Sequence, residues 1–355
     1  MRYLKRILFV LLSVYLSACT NYGSSQLPLD RFSYNDTMQY SDAQQNLLNI
    51  VRLRYTDRPY FLELNNVVSQ LNLTKSLSLA IVNGLVPGIV GTGTGNVSVS
   101  ETPTITYSPL QGPDAIQRLM TPFDLGMIYY LMRSGWSVDK VIRLTLLRFG
   151  SYENALLASR QAGSIVPVYK KFQDLGLVLR SIEHAGDLSV KLIKLDGQSA
   201  IKIKFRLTSK LSANERKVLR AIGVTPQTPY FWMVGHPTKV AHQYYAQART
   251  AMELFNYLAK GVDVPAEDYA AGYVRRTFYP NHTEFDWHLI TRGQIRVHFS
   301  RSRPRNAYLS VHYRNLWFYI ADNALYTKET LMMLGILMSA VQGEVKSVLP
   351  IFTVQ

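Results

Sequence analysis

Leu71-Asn-Leu-Thr-Lys-Ser-Leu-Ser-Leu-Ala-Ile81 alternates between apolar and small polar residues, with Lys75 the one interruption on the apolar side. Val97-Ser-Val-Ser-Glu-Thr-Pro-Thr-Ile-Thr-Tyr107 repeats the alternation in the same phase, its even positions all Ser or Thr. Strict period-two alternation marks strands with one apolar face, so the two runs are expected to pair as a long amphipathic β-hairpin over residues 67–108. The connection, Asn83-Gly-Leu-Val-Pro-Gly-Ile-Val-Gly-Thr-Gly-Thr-Gly95, is apolar and glycine-rich. Such a tip wants burial against a bilayer or a partner. Leu77, Leu79, Ile81, Leu85, Val86, Ile89, Val90, Val97 and Val99 are therefore the candidate partner-binding residues. Lys75 and Glu101 count against full insertion, because a lysine on a lipid-facing strand near the midplane costs about 2–4 kcal/mol. Two settings remain for the hairpin: lying on its own domain's core, or contributed to an oligomeric sheet or barrel.

Outward from the hairpin the chain mixes helices and strands. Leu47, Leu48, Ile50, Val51 and Arg54 recur at helical spacing from about residue 41, and Asp57-Arg58-Pro59 ends the helix, since proline disfavours the helical region for its predecessor. Helices are further expected over 114–120, 123–133, 138–149 (Ser137 as N-cap, Gly150 as stop), 166–180, 215–222, 242–258 and 327–341. Strands are expected over 60–64, over 188–195 and 200–207 around the Asp196-Gly197 turn, and over 349–354. Residues 284–321 read as two more hairpins turning at Arg292-Gly293 and Arg314-Asn315. Hairpins without regular βαβ units make the fold class α+β. The change of character near residue 182 suggests an N-terminal helical subdomain, 36–182, which carries the hairpin, and a C-terminal α+β subdomain, 183–355.

The first residues are of another kind. Arg2, Lys5 and Arg6 precede an uncharged run over 7–16, too short to span a bilayer, in the layout of a secretory signal. The run ends in Leu16-Ser-Ala-Cys19, which resembles a bacterial lipobox, so 1–18 is read as signal peptide and Cys19 as the lipid attachment site. Cys19 is the only cysteine in 355 residues, which leaves no thiol for a disulfide, a metal or catalysis. Each buried CH₂ adds about 0.8 kcal/mol, so three acyl chains anchor permanently. Thr20 and Asn21 follow, not the Asp that retains such proteins on the inner membrane; the expected place is the outer membrane, periplasmic face. Residues 19–35, polar with Gly23 and Pro28, read as a lipidated tether.

The formal charge is +15, and three of those charges leave with the signal. Outside the cytoplasm a basic surface points to lipid phosphates, lipopolysaccharide, peptidoglycan or acidic proteins rather than nucleic acid. Arg301, Arg303 and Arg305 form the one local cluster, a candidate anion site or simply a solvated loop. His282, Glu284, Asp286 and His288 alternate along one apparent strand face. A straight strand spaces such side chains by about 7 Å per pair, too far to converge on one ion, so neither metal nor cofactor is expected. No nucleophile elbow, HExxH, phosphate loop or dinucleotide fingerprint occurs, and the 24 acidic residues show no paired motif.

Six stretches carry a family resemblance: Asn49-Ile-Val-Arg-Leu-Arg-Tyr-Thr-Asp-Arg-Pro-Tyr-Phe-Leu62, Pro103-Thr-Ile-Thr-Tyr-Ser-Pro-Leu110, Ser134-Gly-Trp-Ser-Val-Asp139, Tyr257-Leu-Ala-Lys-Gly-Val-Asp-Val-Pro265, Phe285-Asp-Trp287 and Val311-His-Tyr-Arg-Asn-Leu-Trp-Phe-Tyr-Ile320. Together they resemble an uncharacterised family of proteobacterial outer-membrane lipoproteins, and the likeness spans most of residues 40–355. It implies location and class, and supplies no catalytic residues. Arg314-Asn315 stands where the resemblance leads one to expect Arg-Gly; asparagine also tolerates positive φ, so the turn is expected to survive. Lipoproteins of this general kind serve as accessory subunits of type IVB (Dot/Icm-type) secretion complexes. The leading expectation is therefore a non-enzymatic structural subunit or adaptor of an envelope assembly, partnered with envelope proteins as a homo- or hetero-oligomer. The alternatives are a stand-alone lipoprotein that binds peptidoglycan or lipopolysaccharide through a basic surface, and an envelope hydrolase.

Overall fold

Leu47, Ile50 and Val51 are fully buried on one stripe of α1, and the helix runs well beyond that stripe, over Tyr22–Arg54. The computed structural model describes residues 22–82, 90–159, 165–195, 197–208 and 211–342. Cys19 and the signal fall outside them. The tether expected over 19–35 is helical from Tyr22 onward, through Gly23 and Pro28. Periodicity reveals a helix only where one face is buried, and Phe32 and Tyr40 stay exposed. Thr37 Oγ1 donates to the Ser33 carbonyl at 2.8 Å, a bond that only a helical backbone offers.

The alternating runs do pair. β1 (Leu62–Val82) and β2 (Val90–Pro109) form an antiparallel two-stranded sheet that no other described strand joins. Leu73 stands opposite Val99, Lys75 opposite Val97, and Leu77, Leu79 and Ile81 opposite Gly95, Gly93 and Gly91. From Asn66 onward the odd positions of both strands thus share one face, and the even positions, mostly Ser, Thr and Asn, share the other. The pairing outruns the expected 67–108 because the register shifts between Leu64 and Asn66, where the period breaks, and then resumes. Leu110 N donates to the Phe61 carbonyl at 2.9 Å, and α2 (Pro113–Met120) follows. Tyr60–Arg118 belong to one compact unit, and Met1–Pro59 with Leu119–Val341 make the other.

In the larger unit, Asp124 caps α3 (Leu125–Arg133), accepting from Gly126 N at 2.6 Å, and Ser137 caps α4 (Val138–Thr145). All eight residues of α4 are buried. The helix expected through residue 149 stops at Thr145. Leu146 is extended (φ −108°, ψ 139°), and β3 (Leu146–Phe149) enters the main sheet. After β4 (Tyr152–Glu153) and a 3-10 turn come α5 (Lys170–His184), β5 (Leu188–Leu195), β6 (Gln198–Phe205), α6 (Ala213–Ala221), β7 (Tyr230–Val234), β8 (Gln243–Ala248) and α7 (Ala251–Ala259). α5 starts four residues later than expected, past Pro167. The strands order as β4-β3-β8-β7-β6-β5, antiparallel except for β7 against β8. Ile201, Ile203, Phe231 and Met233 are among the buried positions of β6 and β7, while Lys202 lies over the Tyr230 ring at 4.1 Å.

Two expectations are corrected here. Residues 242–258 are a strand and then a helix, because the Thr250/Glu253 capping box starts α7 only at Ala251. Thr250→Ala should therefore cost about 1 kcal/mol, seen as a lower urea midpoint at unchanged slope. The boundary at 182/183 is not a domain boundary: β3 and β5 lie in one sheet, so both sides of it share one core.

α8 (Ala266–Ala270), α9 (His288–Thr291), β9 (His298–Ser300), β10 (Ala307–Tyr313), β11 (Leu316–Ala321) and α10 (Leu325–Gln342) complete the described chain. β10-β11-β9 form a second sheet. Arg314 and Asn315, at φ 50° and 62°, make the expected turn, which needs positive φ at both central residues. The hairpin expected at Arg292-Gly293 is instead the end of α9, because the Asp286 carboxylate accepts from His288 N at 2.9 Å and turns the chain helical. Residues 349–354, expected as a strand, lie outside the described residues.

Candidate functional site

α1 packs on α7, and a cleft opens beside their C-terminal ends. Arg54 is the last residue of α1, and Lys260 is the C-cap of α7. The chain then passes through Gly261, whose carbonyl accepts from Val297 N at 2.9 Å, while Asp263 N donates to the Val297 carbonyl at 2.8 Å. A Cβ on Gly261 would meet the Ile295 carbonyl oxygen at 2.7 Å, so only glycine lets the two segments approach this closely. The strap fixes Lys260 and Asp263 in place. Arg275, Arg276 and Thr277 line the same space, with Phe285, Trp287 and Phe299 as apolar walls, and its volume is about 460 Å³.

The two ends of the cleft differ in how charge is matched. At one end Asp263 Oδ1 lies 2.8 Å from His288 Nε2, while Oδ2 lies 2.9 Å from His298 Nδ1 and 3.3 Å from Arg296 Nε. Burial pushes this carboxyl up, but the His288 hydrogen bond and the charges of His288, Arg296 and His298 outweigh it, so Asp263 titrates below the usual carboxylate range. Arg276 pairs loosely with Glu284 at 3.9 Å and lies over the Tyr269 ring at 4.7 Å.

At the other end the cations are unmatched. Arg54 is 7% exposed; its Nη2 donates to the Tyr269 hydroxyl at 2.6 Å, and its buried Nε has no hydrogen-bond partner. The Lys260 ammonium lies over the Trp287 ring, 5.0 Å from its centre. Burial, and then repulsion from Arg54 and Arg275, pull Lys260 down to about 8. Among the described residues no carboxylate comes within ion-pair distance of Arg54, Lys260 or Arg275. Three cations therefore face this end of the cleft with no carboxylate in ion-pair distance, an arrangement that raises the cost of their burial.

The residues singled out from the sequence fall elsewhere or in part. Arg301 pairs with Glu267 at 2.8 Å with both side chains exposed, and Arg303 lies over the Trp317 ring at 5.4 Å. Arg305 is exposed and joins neither. The residues 282–288 are not a strand: His282 sits in a turn at φ 63°, Glu284 bridges Phe278, and His288 begins α9. Glu284, Asp286 and His288 line the cleft, yet no group of three or more His, Cys, Asp or Glu among the described residues is placed to hold a metal. On the hairpin, Leu77, Leu79, Ile81, Val97 and Val99 share a face by register, and Val90 stands opposite Val82. Leu85, Val86 and Ile89 lie outside the described residues, as does Cys19. Sequence reasoning missed Arg54, Lys260, Arg275 and Asp263. The available signal was indirect: the stretches 49–62, 257–265 and 285–287, quoted for the family likeness, all contribute to this cleft.

Comparison with family models, with curated proteins and with solved structures finds no match for this chain.

Proposed function

We propose that this protein is a non-enzymatic, lipid-anchored outer-membrane subunit of a cell-envelope assembly, and that it contributes its hairpin to a sheet or barrel built with other chains. The observation that carries the reading is the register of β1 and β2. Two strands of 21 and 20 residues align Leu71, Leu73, Leu77, Leu79 and Ile81 with Val97, Val99 and Ile105 on one face and pair with no third described strand. An isolated two-stranded hairpin is marginal in water, and one with an apolar face needs a cover. At about 3.3 Å per residue each strand is roughly 65 Å long, about twice a bilayer's hydrocarbon thickness, so part of it meets protein or water even where its tip meets lipid. Gly91, Gly93 and Gly95 along that face let a neighbouring backbone come close. The anchor at Cys19 supplies the address, and a type IVB-like secretion complex is the kind of assembly that the family likeness implies.

The test is the native mass of protein extracted in mild detergent, for wild type and for a deletion of residues 83–95. The expected result is a particle several times the 40.4 kDa chain that falls to about chain mass on deletion. A wild-type monomer indifferent to the deletion would overturn the assembly reading. Separately, Cys19→Ala should move the protein from the membrane pellet to the soluble periplasmic fraction; retention in the pellet would remove the lipid anchor.

A further inference from the structure

We propose that the cleft beside Lys260 binds a phosphate monoester carried on a sugar-sized body, with the phosphoryl group held by Arg54, Lys260 and Arg275. Charge decides the class of anion. Three cations meet here without a carboxylate, and the C-terminal ends of α1 and α7 place roughly half a negative charge each beside them. The balance of these groups alone is about +2; of the carboxylates lining the same cleft, Asp263 faces His288, Glu284 faces Arg276 and Asp286 accepts from His288 N. A phosphate monoester carries about −1.5 to −2 at neutral pH and matches that balance, whereas a lone carboxylate leaves half of it unanswered.

The donors suit the same group. Arg54 lines the cleft, is held by Tyr269 through Nη2, and brings a guanidinium charge that no carboxylate answers. Lys260 adds a point charge fixed over Trp287, and the exposed Arg275 lines the same space. The volume speaks for a larger body. About 460 Å³ exceeds what a phosphate ion fills and falls in the range of small-molecule sites. The lining also offers the exposed Phe299 to pack against a ring, and Glu284 and Asp286 to accept from hydroxyl or amino groups. A phosphorylated sugar presents this sequence of groups, whether free or as the headgroup of an envelope glycolipid.

Calorimetry on the full-length protein in mild detergent tests it, with glucosamine 1-phosphate, inorganic phosphate and glucosamine as probes at matched ionic strength. Glucosamine 1-phosphate should bind at least tenfold tighter than either of the other two. Arg275→Gln, at an exposed position, should keep the wild-type melting temperature and weaken binding about tenfold; Lys260→Met should weaken it further. Vesicles containing a phosphorylated glucosamine glycolipid distinguish the sources. Arg275-dependent binding to them assigns the headgroup, and binding of the soluble ester alone assigns a free sugar phosphate. The proposal is overturned if the ester binds no better than glucosamine, if inorganic phosphate binds equally well, or if Arg275→Gln and Lys260→Met both bind as wild type.

Discussion

Arg249→Ala should destabilise the larger unit by about 3–5 kcal/mol and lower its melting temperature by roughly 10 °C, the largest loss expected from any single truncation here. Arg249 is wholly buried. Its Nη1 donates to the carbonyls of Arg143 and Leu144 at 2.6 and 3.0 Å, and its Nη2 to that of Asn154 at 2.9 Å. The first two carbonyls belong to the last turn of α4, where helical carbonyls lack partners and the helix end is negative. The guanidinium also lies over the Tyr257 ring at 4.2 Å. Burial pulls Arg249 down to about 10, so the group remains charged at neutral pH and its carbonyl partners stand in for water. Alanine would take a donor from the Leu144 and Asn154 carbonyls, while that of Arg143 keeps the Asn154 amide at 2.9 Å, and would open a cavity where β8 meets α7. Arg249→Lys keeps the charge but not the fork and should lose an intermediate amount. A melting temperature within a degree or two of wild type for Arg249→Ala would show that those carbonyls find other donors.

The same residue shows where sequence reading stops. The hairpin was legible because alternation is local: eleven residues of Leu71–Ile81 are enough to state the period, and the register confirms the common phase. β3 and β8 were not, since Leu146–Phe149 and Gln243–Ala248 are too short to separate the two periods, and the pairing that makes them strands joins residues about a hundred apart. Over residues 32–40 helix α1 has no buried residue to repeat. The cleft was the least legible feature. Arg54, Lys260 and Arg275 sit in three separate segments, each an ordinary surface-type residue in its own window; the packing of α1 on α7 brings the first two together, and the chain after α8 adds the third. Arg301, Arg303 and Arg305 illustrate the converse, a cluster in sequence that disperses onto Glu267 and Trp317.

Lys260→Met should stabilise the protein at pH 7 by about 1–2 kcal/mol, and the gain should shrink as pH rises. A lysine held at about 8 rather than near 10.5 is charged in both folded and unfolded chains below pH 8, so there the folded state carries the full penalty of the buried, repelled ammonium. Between pH 8 and 10.5 the folded chain releases the proton first, and the wild type recovers stability that the methionine variant already has. The shift corresponds to about 3 kcal/mol at most, reduced because the side chain is partly exposed. Lys140 and Arg249, both pulled down by burial, add changes of the same sign to wild type and variant alike, so the difference between the two isolates Lys260. Tyr55 and Tyr313, both pushed up by burial and by carboxylate partners, act in the opposite direction above pH 10, where the unfolded chain ionises first. Urea unfolding of wild type and variant at pH 7, 8, 9 and 10 reads the effect directly. A difference flat across that range would mean that Lys260 is not strained, and would remove the physical reason for an anion to enter. A difference that closes toward pH 10, and that glucosamine 1-phosphate also closes at pH 7, would show that the methionine-sized gain and the ligand's binding energy draw on the same uncompensated charge.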